Sequence, residues 1–328
     1  MSSLQGKAVL ITGGTGSFGT AMVKKLLSMN EVSKVVVFSR DELKQFEMQA
    51  QLSSDKLRFF LGDVRDYQRL IRATDGIDVV IHAAAMKQIP ASEYNPMEAI
   101  KTNVLGAENV VNVAIENGIE RVIALSTDKA ANPANLYGAT KLCSDKLMIA
   151  GNALSGKRKI KFSVVRYGNV LGSRGSVIPF FLERAKHGRI PITDERMTRF
   201  WLTLDEGVQF VLESLERMHG GEIFVPKIPS FKVTDVAEVV CPGVPTEIIG
   251  IRPGEKLHEV MITEDDSYNT FEFDLYYAIV APNSPSRPLY DSSAKRVSEG
   301  FRYSSDNNSL WHSPSTFKAV LKENGILL

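Results

Sequence analysis

The 328-residue chain has only two cysteines, Cys143 and Cys241. They supply no disulfide framework and no metal-ligand spacing, which points to a reducing compartment. It also lacks a dominant sign of charge: 39 Lys and Arg stand against 38 Asp and Glu, a formal net charge of +1. That balance gives no reason to expect a nucleic-acid or membrane-surface partner, so an anionic ligand would have to be held by local Arg and Lys. No apolar run approaches a membrane span, and the N-terminus enters a strand without a signal-peptide pattern. Internal repeats and low-complexity segments are absent as well. What is present is ordinary for a globular protein, 44% apolar and 23% charged, and long enough for a large domain plus a smaller one. The expectation is a cytoplasmic α/β protein.

The first motif is a glycine turn. Residues 7–12 form a short apolar run that reads as a buried strand. Gly13, Gly14, Thr15, Gly16, Ser17, Phe18 and Gly19 follow, then a helix with apolar spacing through Met22, Val23, Leu26 and Leu27. Glycines here permit a tight turn, let backbone amides approach a pyrophosphate and bring helix and strand close together. A second strand at 34–38 ends in Ser39 and Arg40. An NAD-binding protein would often place a carboxylate there, whereas a hydroxyl and a guanidinium, with Lys44 nearby, suit the 2′-phosphate of NADP. Ser39 and Glu42 also have capping-box spacing, and such a cap would leave Arg40 free.

Further strands are expected at 57–61 and 78–81. Asp63 after the third, with Val64 beside it, could receive the adenine amino group or cap the next helix. After the fourth come His82, Ala83, Ala84, Ala85 and Lys87. The small residues leave room for a ligand against the backbone, and His82 reads as packed rather than catalytic. Lys87 is either a solvated loop charge or a hand on cofactor or substrate. A helix is expected over roughly 97–117, with Asn103, a poor helix former, either facing solvent or anchoring the pair Tyr137 and Lys141 through a hydrogen bond or a water.

The chain is organised around residues 126–141. A strand at 121–125 runs into Ser126, Thr127, Asp128 and Lys129, and eight residues on come Tyr137 and Lys141. Tyr137 and Lys141 are four apart, on one face of a helix. The strand end is where open α/β sheets bind ligands. A hydroxyl, an acid, an amine, a phenol and a second amine would converge there, a set of parts for moving protons. Strands alternating with helices to this point indicate a doubly wound parallel sheet of Rossmann type. Beyond a strand at 161–167 the alternation breaks, and a helix is expected to begin near Gly175 and Ser176, over the crevice. Another helix is expected at 204–218. The expected division is an NADP-binding domain of 1–168 with 198–221, and a substrate lobe of 169–197 with 222–328. Arg199 and Arg252 are candidates for clamping a diphosphate, with plain surface charge the alternative; Asn169, Val177 and Glu255 are further candidates on the substrate side.

Together the glycine turn, Ser-Thr before an acid, and Tyr137-x-x-x-Lys141 resemble an extended short-chain dehydrogenase/reductase. Residues 125–133 with 136–141, 166–170 (Arg-Tyr-Gly-Asn-Val) and 252–256 (Arg-Pro-Gly-Glu-Lys) are more specific. They resemble the soluble, inverting UDP-N-acetylglucosamine 4,6-dehydratases that start pseudaminic acid biosynthesis for flagellin glycosylation. The resemblance covers nearly the whole chain and weakens beyond Glu264. Longer membrane-bound relatives carry Met at the place of Tyr137 and an N-terminal membrane region; both differences favour the short, soluble subgroup. The resemblance implies a homo-oligomer, a dimer to a hexamer, with NADP and a UDP-sugar bound.

It also implies a reaction in three stages. Tyr137 takes the C4 hydroxyl proton while hydride leaves C4, with Lys141 on the nicotinamide ribose and Thr127 on the C4 oxygen. Asp128 is the acid for the departing C6 hydroxyl. Lys129 is the base or proton donor at C5, where a base role would need its pKa to fall; Tyr137 serving twice is the alternative. Hydride then returns to C6. Rivals are a nucleotide-sugar 4-epimerase, which needs no acid-amine pair after Ser-Thr, a net reductase, and a non-catalytic NADPH-binding regulator.

Overall fold

A computed structural model describes residues 2–171 and 177–326. The first half alternates as its apolar runs require. Strand β1 (Ala8–Thr12) is followed by α1 (Ser17–Leu27), β2 (Lys34–Ser39), α2 (Glu42–Gln51), β3 (Leu57–Leu61), α3 (Tyr67–Ala73) and β4 (Val79–His82). Then come α4 (Ile89–Tyr94), α5 (Pro96–Ile100), a π-helical turn (Lys101–Leu105), α6 (Gly106–Asn117), β5 (Arg121–Thr127), α7 (Leu136–Leu154) and β6 (Lys161–Tyr167). Every residue of β1 is buried, as expected of a parallel strand covered by helices on both faces.

The order β3-β2-β1-β4-β5-β6 is parallel throughout. The order in which strands are added reverses between β1 and β4, where Leu10 pairs with both Val36 and Val80. Open sheets bind ligands outside the strand ends at such a switch point. The fold is the doubly wound Rossmann sheet expected.

The second half comprises β7 (Asn169–Val170), α8 (Val177–Ala185), β8 (Ile190–Ile192), β9 (Thr198–Leu202), α9 (Leu204–Arg217), β10 (Glu222–Pro226), β11 (Ser230–Lys232) and α10 (Val233–Val240). It continues through β12 (Thr246–Ile248), β13 (Val260–Ile262), β14 (Thr270–Glu272), β15 (Tyr276–Val280), α11 (Arg287–Ser293), β16 (Lys295–Arg296), β17 (Tyr303–Ser304) and α12 (Pro314–Glu323). The helix expected from Gly175 is described from Val177; Gly175 and Ser176 lie outside the described residues.

The described part of 222–328, the stretch expected in the smaller lobe, divides between two cores. β10 pairs parallel with β6, and β15, β14 and β16 extend the same sheet antiparallel. Phe224, Phe271 and Ile279 therefore share the core of Val9 and Val122. A second core gathers Ile178, Phe181, Ile192, Trp201, Phe231, Val236 and Phe317, with Trp201 stacked on Phe317 at 4.9 Å. β9 joins them: Phe200 faces the first core and Trp201 the second, by the alternation of a strand.

The single helix expected over 97–117 is interrupted by the π-helical turn, whose residues include Asn103. Such bulges cluster at functional sites. The helix expected at 204–218 is α9, opened by a capping box between Thr203 and Glu206.

Candidate active site

A crevice of about 800 Å³ runs along the strand ends from the glycine turn to β7 and the segment before β13. Gly13 has φ +67°, a conformation that favours glycine. A Cβ on Gly19 would overlap the Gly13 carbonyl and Gly14 Cα. The turn thus packs so closely on α1 that side chains are excluded. Gly16 caps α1 without a side-chain acceptor for its first amides. Those donors and that space fit a pyrophosphate. Thr15, Ser17 and Phe18 line the same end, as do Val64, Ala83, Ala84 and Ala85.

At the far end of β2, Ser39, Arg40 and Lys44 all line the crevice. The capping box proposed for Ser39 and Glu42 does not form. Asp41 caps α2 instead, accepting from the Lys44 amide at 3.0 Å, because the helix starts two residues too late for Ser39 to reach it. Ser39 is buried and accepts from Gln45 at 3.0 Å. The Lys44 ammonium pairs with Asp41. Arg40 is largely exposed, its guanidinium 3.7 Å from Asp63. Nor does Asp63 cap α3; Asp66 does, and Asp63 accepts from the Arg65 amide and guanidinium. Burial would raise the Asp63 carboxyl, but Arg65 and Arg40 together hold it low.

Asn103 is buried and does not line the crevice. It accepts from the Met86 amide at 2.8 Å and donates to the Met86 carbonyl and Thr140 hydroxyl, each at 2.9 Å. It ties the loop after β4 to α7, so its anchoring is of backbone and helix, one step behind Lys141. Burial lowers the pKa of Lys87, which lines the crevice. His82 is buried, with Nδ1 2.8 Å from the Thr12 hydroxyl, and burial followed by the nearby Lys141 depresses its pKa to about 3. It is a neutral packed histidine.

Tyr137 and Lys141 stand on the first turns of α7, capped by Asn135, and both line the crevice with Thr127 and Lys129. Burial raises the Tyr137 phenol to about 12, although Lys129 and the Thr127 hydroxyl pull the other way. Burial lowers the Lys141 pKa, and Asp145, one turn further along α7, opposes it. Asp145 accepts from the Ser126 hydroxyl at 2.7 Å and pairs with buried Arg166 at 3.4 Å.

Asp128 is fully buried in the 3-10 turn after β5, just beneath the crevice wall. Its Oδ1 accepts from the Thr127 hydroxyl at 2.9 Å and from the Lys129 ammonium at 3.0 Å; its Oδ2 has no hydrogen-bond partner among the described residues. Burial raises its pKa, as an acid role requires. The fall expected for Lys129 as a base does not occur. Burial does lower it, but Asp128 and Glu259 outweigh burial and raise it. Lys129 is an ammonium.

On the substrate side, Asn169 accepts from Lys129 at 3.4 Å, and Val177, Arg199 and Glu255 line the crevice. Arg199 is not poised as a free clamp. Its guanidinium donates to the carbonyls of Thr198, Leu257 and Lys256 at 2.7 to 3.1 Å, pinning that loop to β9. Arg252 does not line the crevice; it lies 3.8 Å from Glu255 and above the Phe180 ring.

Two participants escape a reading of the sequence. Lys256 donates to the Ala131 carbonyl at 2.8 Å, and buried Glu259 lies 3.3 Å from the Lys129 ammonium. The Arg-Pro-Gly-Glu-Lys run that ends at Lys256 marks the segment, but nothing in it pairs Glu259 with a lysine 130 positions earlier. No group of metal-ligating side chains exists among the described residues.

A family profile described as polysaccharide biosynthesis protein matches residues 9–281. A Campylobacter jejuni protein named UDP-N-acetylglucosamine 4,6-dehydratase (inverting) is 56% identical over 321 residues, covering 94% of this chain and 95% of its own. A Rickettsia canadensis protein named UDP-glucose 4-epimerase is 43% identical, covering 83% and 82%. Among solved structures, Pen from Bacillus thuringiensis superposes with a TM-score of 0.91 at 36% identity over 99% of both chains.

Proposed function

The chain belongs to the polysaccharide biosynthesis protein family, and on that footing we propose that it is a UDP-N-acetylglucosamine 4,6-dehydratase that inverts C5. The product is a UDP-2-acetamido-2,6-dideoxy-hexos-4-ulose. The observation that carries this reading is the acid-amine pair Asp128–Lys129 set directly beside Tyr137 and Thr127. Oxidation at C4 alone needs only the phenol and Lys141. Removing water as well needs a group that stays protonated next to them.

NADP is the proposed cofactor, supported by Arg40 at the end of β2 where a carboxylate would serve NAD. The glycine turn would hold its pyrophosphate, and Tyr137 and Lys141 its nicotinamide ribose. When bound, the nicotinamide supplies the hydride acceptor and donor of the reaction. Tyr137 accepts the C4 hydroxyl proton, and Lys129 and the Thr127 hydroxyl favour the phenolate this requires against the burial that opposes it. Thr127 orients the C4 oxygen. Asp128, kept neutral by burial, supplies the proton for the departing C6 hydroxyl. Lys129, an ammonium, is suited to donate at C5 rather than to abstract there, so the C5 proton goes to Tyr137 acting a second time, once the proton it took from the C4 hydroxyl has passed to solvent.

We also propose a cytoplasmic homo-oligomer feeding pseudaminic acid biosynthesis and flagellin glycosylation. The C. jejuni similarity supports the pathway, and no described helix is long and apolar enough to cross a membrane. A cofactor-binding domain and a substrate lobe meeting at the crevice fit this reading, with Asn169, Val177, Glu255 and Lys87 on the sugar-nucleotide side and Arg199 holding the loop behind them. The Rickettsia relative favours a second reading, a 4-epimerase; a regulator without catalysis is disfavoured by the intact Tyr137–Lys141 pair.

One incubation separates these. With UDP-N-acetylglucosamine in deuterated water and no added nicotinamide, NMR should show a 4-keto-6-deoxy sugar carrying deuterium at an inverted C5. A C4 isomer with its C6 hydroxyl intact would establish the epimerase, and unchanged sugar would refute the substrate. Tyr137→Phe activity near wild type would refute the base.

A further inference from the structure

Glu259 is supplied by the segment before β13, far along the chain from the Asp128 turn. Its backbone is fixed twice to Ser305: the Glu259 amide donates to the Ser305 hydroxyl at 2.9 Å, and the Ser305 amide donates to the Glu259 carbonyl at 2.8 Å. Ser305 is in turn bonded to Thr198 of β9. The side chain is 3% exposed and lines the crevice. Its Oε1 lies 3.3 Å from the Lys129 ammonium and 3.8 Å from Arg199, while Oε2 has no hydrogen-bond partner among the described residues. A carboxyl so buried stays ionised only among cations.

The same segment grips the catalytic turn at two further points. Asn135, the cap of α7, donates to the Gly254 carbonyl at 2.8 Å, and Lys256 donates to the Ala131 carbonyl. Residues 254–259 therefore strap the turn that carries Asp128 and Lys129, and Glu259 is the charged end of the strap.

We propose that Glu259 is a positioning residue for the elimination, sharing the Lys129 ammonium with Asp128 and so fixing both where that amine stands and which carboxyl keeps its proton. Two carboxyls bear on one ammonium, and their surroundings differ. Asp128 has Lys129 as its bonded cation and complete burial, which outweighs it and raises its pKa; Glu259 answers to Lys129, Arg199 and Lys256, which overcome its burial and hold it low. Tyr137 completes the groups facing the cluster. Glu259 thus carries the charge that balances Lys129, and Asp128 is left as the acid. Without Glu259 the Asp128 carboxyl becomes the sole counter-ion and ionises, and the leaving hydroxyl loses its proton source. Lys141, which serves C4, answers to burial and to Asp145 and so stands outside this cluster.

This inference rests on the dehydratase reading, and its test separates the two. Wild-type enzyme, Glu259→Gln and Glu259→Asp are compared with UDP-N-acetylglucosamine. Product from wild type secures the reading independently of either variant. For Glu259→Gln, turnover should fall by at least about 100-fold, the scale of breaking a buried charge cluster. KM should stay within about threefold, and absorbance of reduced nicotinamide should accumulate because C4 is oxidised while water is not lost. Glu259→Asp should recover part of the turnover. The carboxyl carbon resonance of Asp128 should titrate at lower pH in Glu259→Gln than in wild type, a readout needing no substrate. Equal loss of C4 oxidation and dehydration, or an Asp128 resonance that does not move, overturns the proposal.

Discussion

Gly138, on the first turn of α7, faces the carbonyl oxygen of Lys129 so closely that a methyl group on it would overlap that oxygen, with Lys129 C at 3.0 Å and Pro133 Cβ at 3.1 Å. The helix bearing Tyr137 and Lys141 and the turn bearing Asp128 and Lys129 are thus one packed unit.

Gly138→Ala tests that unit. In an exposed helix the change would stabilise by up to ~1 kcal/mol. Here the turn must move, so a loss of about 1–3 kcal/mol in unfolding free energy is expected. Turnover should drop about 100-fold because the acid and the phenol no longer share one geometry. Denaturant unfolding and steady-state rates check both; a stabilised, fully active variant would contradict the packing.

Arg40 offers a test of cofactor choice. It is largely exposed and its ion pair with Asp63 is long, so its removal should leave the fold intact. Calorimetry on nucleotide-free protein should show Arg40→Ala binding NADP about tenfold more weakly, with NAD affinity within about twofold. Equal weakening of both would remove the 2′-phosphate from Arg40.

His82 predicts a pH dependence of stability. Its folded pKa, about 3, is depressed below an ordinary 6.5. Between those values the unfolded chain binds a proton that the folded chain refuses, so this contribution is complete above pH 6.5 and is lost as pH falls through the window. The slope is at most ~1.4 kcal/mol per pH unit. Urea titrations at pH 7 and pH 5 should show a steeper loss for wild type than for His82→Gln, which cannot charge; parallel losses would mean His82 is not held neutral.

The cofactor half of the molecule was legible because its signals are local. Apolar runs such as Ala8–Thr12, short and bounded by a glycine turn, read as buried strands, and Tyr137 and Lys141 declare their shared face by spacing. What stayed hidden depends on distance or on half a turn of helix. Asp41 and Asp66, not Ser39 and Asp63, cap α2 and α3, since several acids and hydroxyls compete within a few positions. The π-helical turn around Asn103 adds a residue to one turn without changing the apolar pattern. β10, β14 and β15 look like pieces of a lobe until pairing with β6 makes them sheet. The charge on Lys129 needed Glu259, whose place beside it is set by the tertiary fold alone.

The strap from Gly254 to Glu259 has a consequence for the order in which the protein comes into being. A ribosome releases the glycine turn, β1 to β6 and the Tyr137 helix long before residue 254 appears. A nascent chain could therefore already cradle a dinucleotide while its amine at 129 lacks the second counter-charge, and competence to expel water arrives only with the last third of translation.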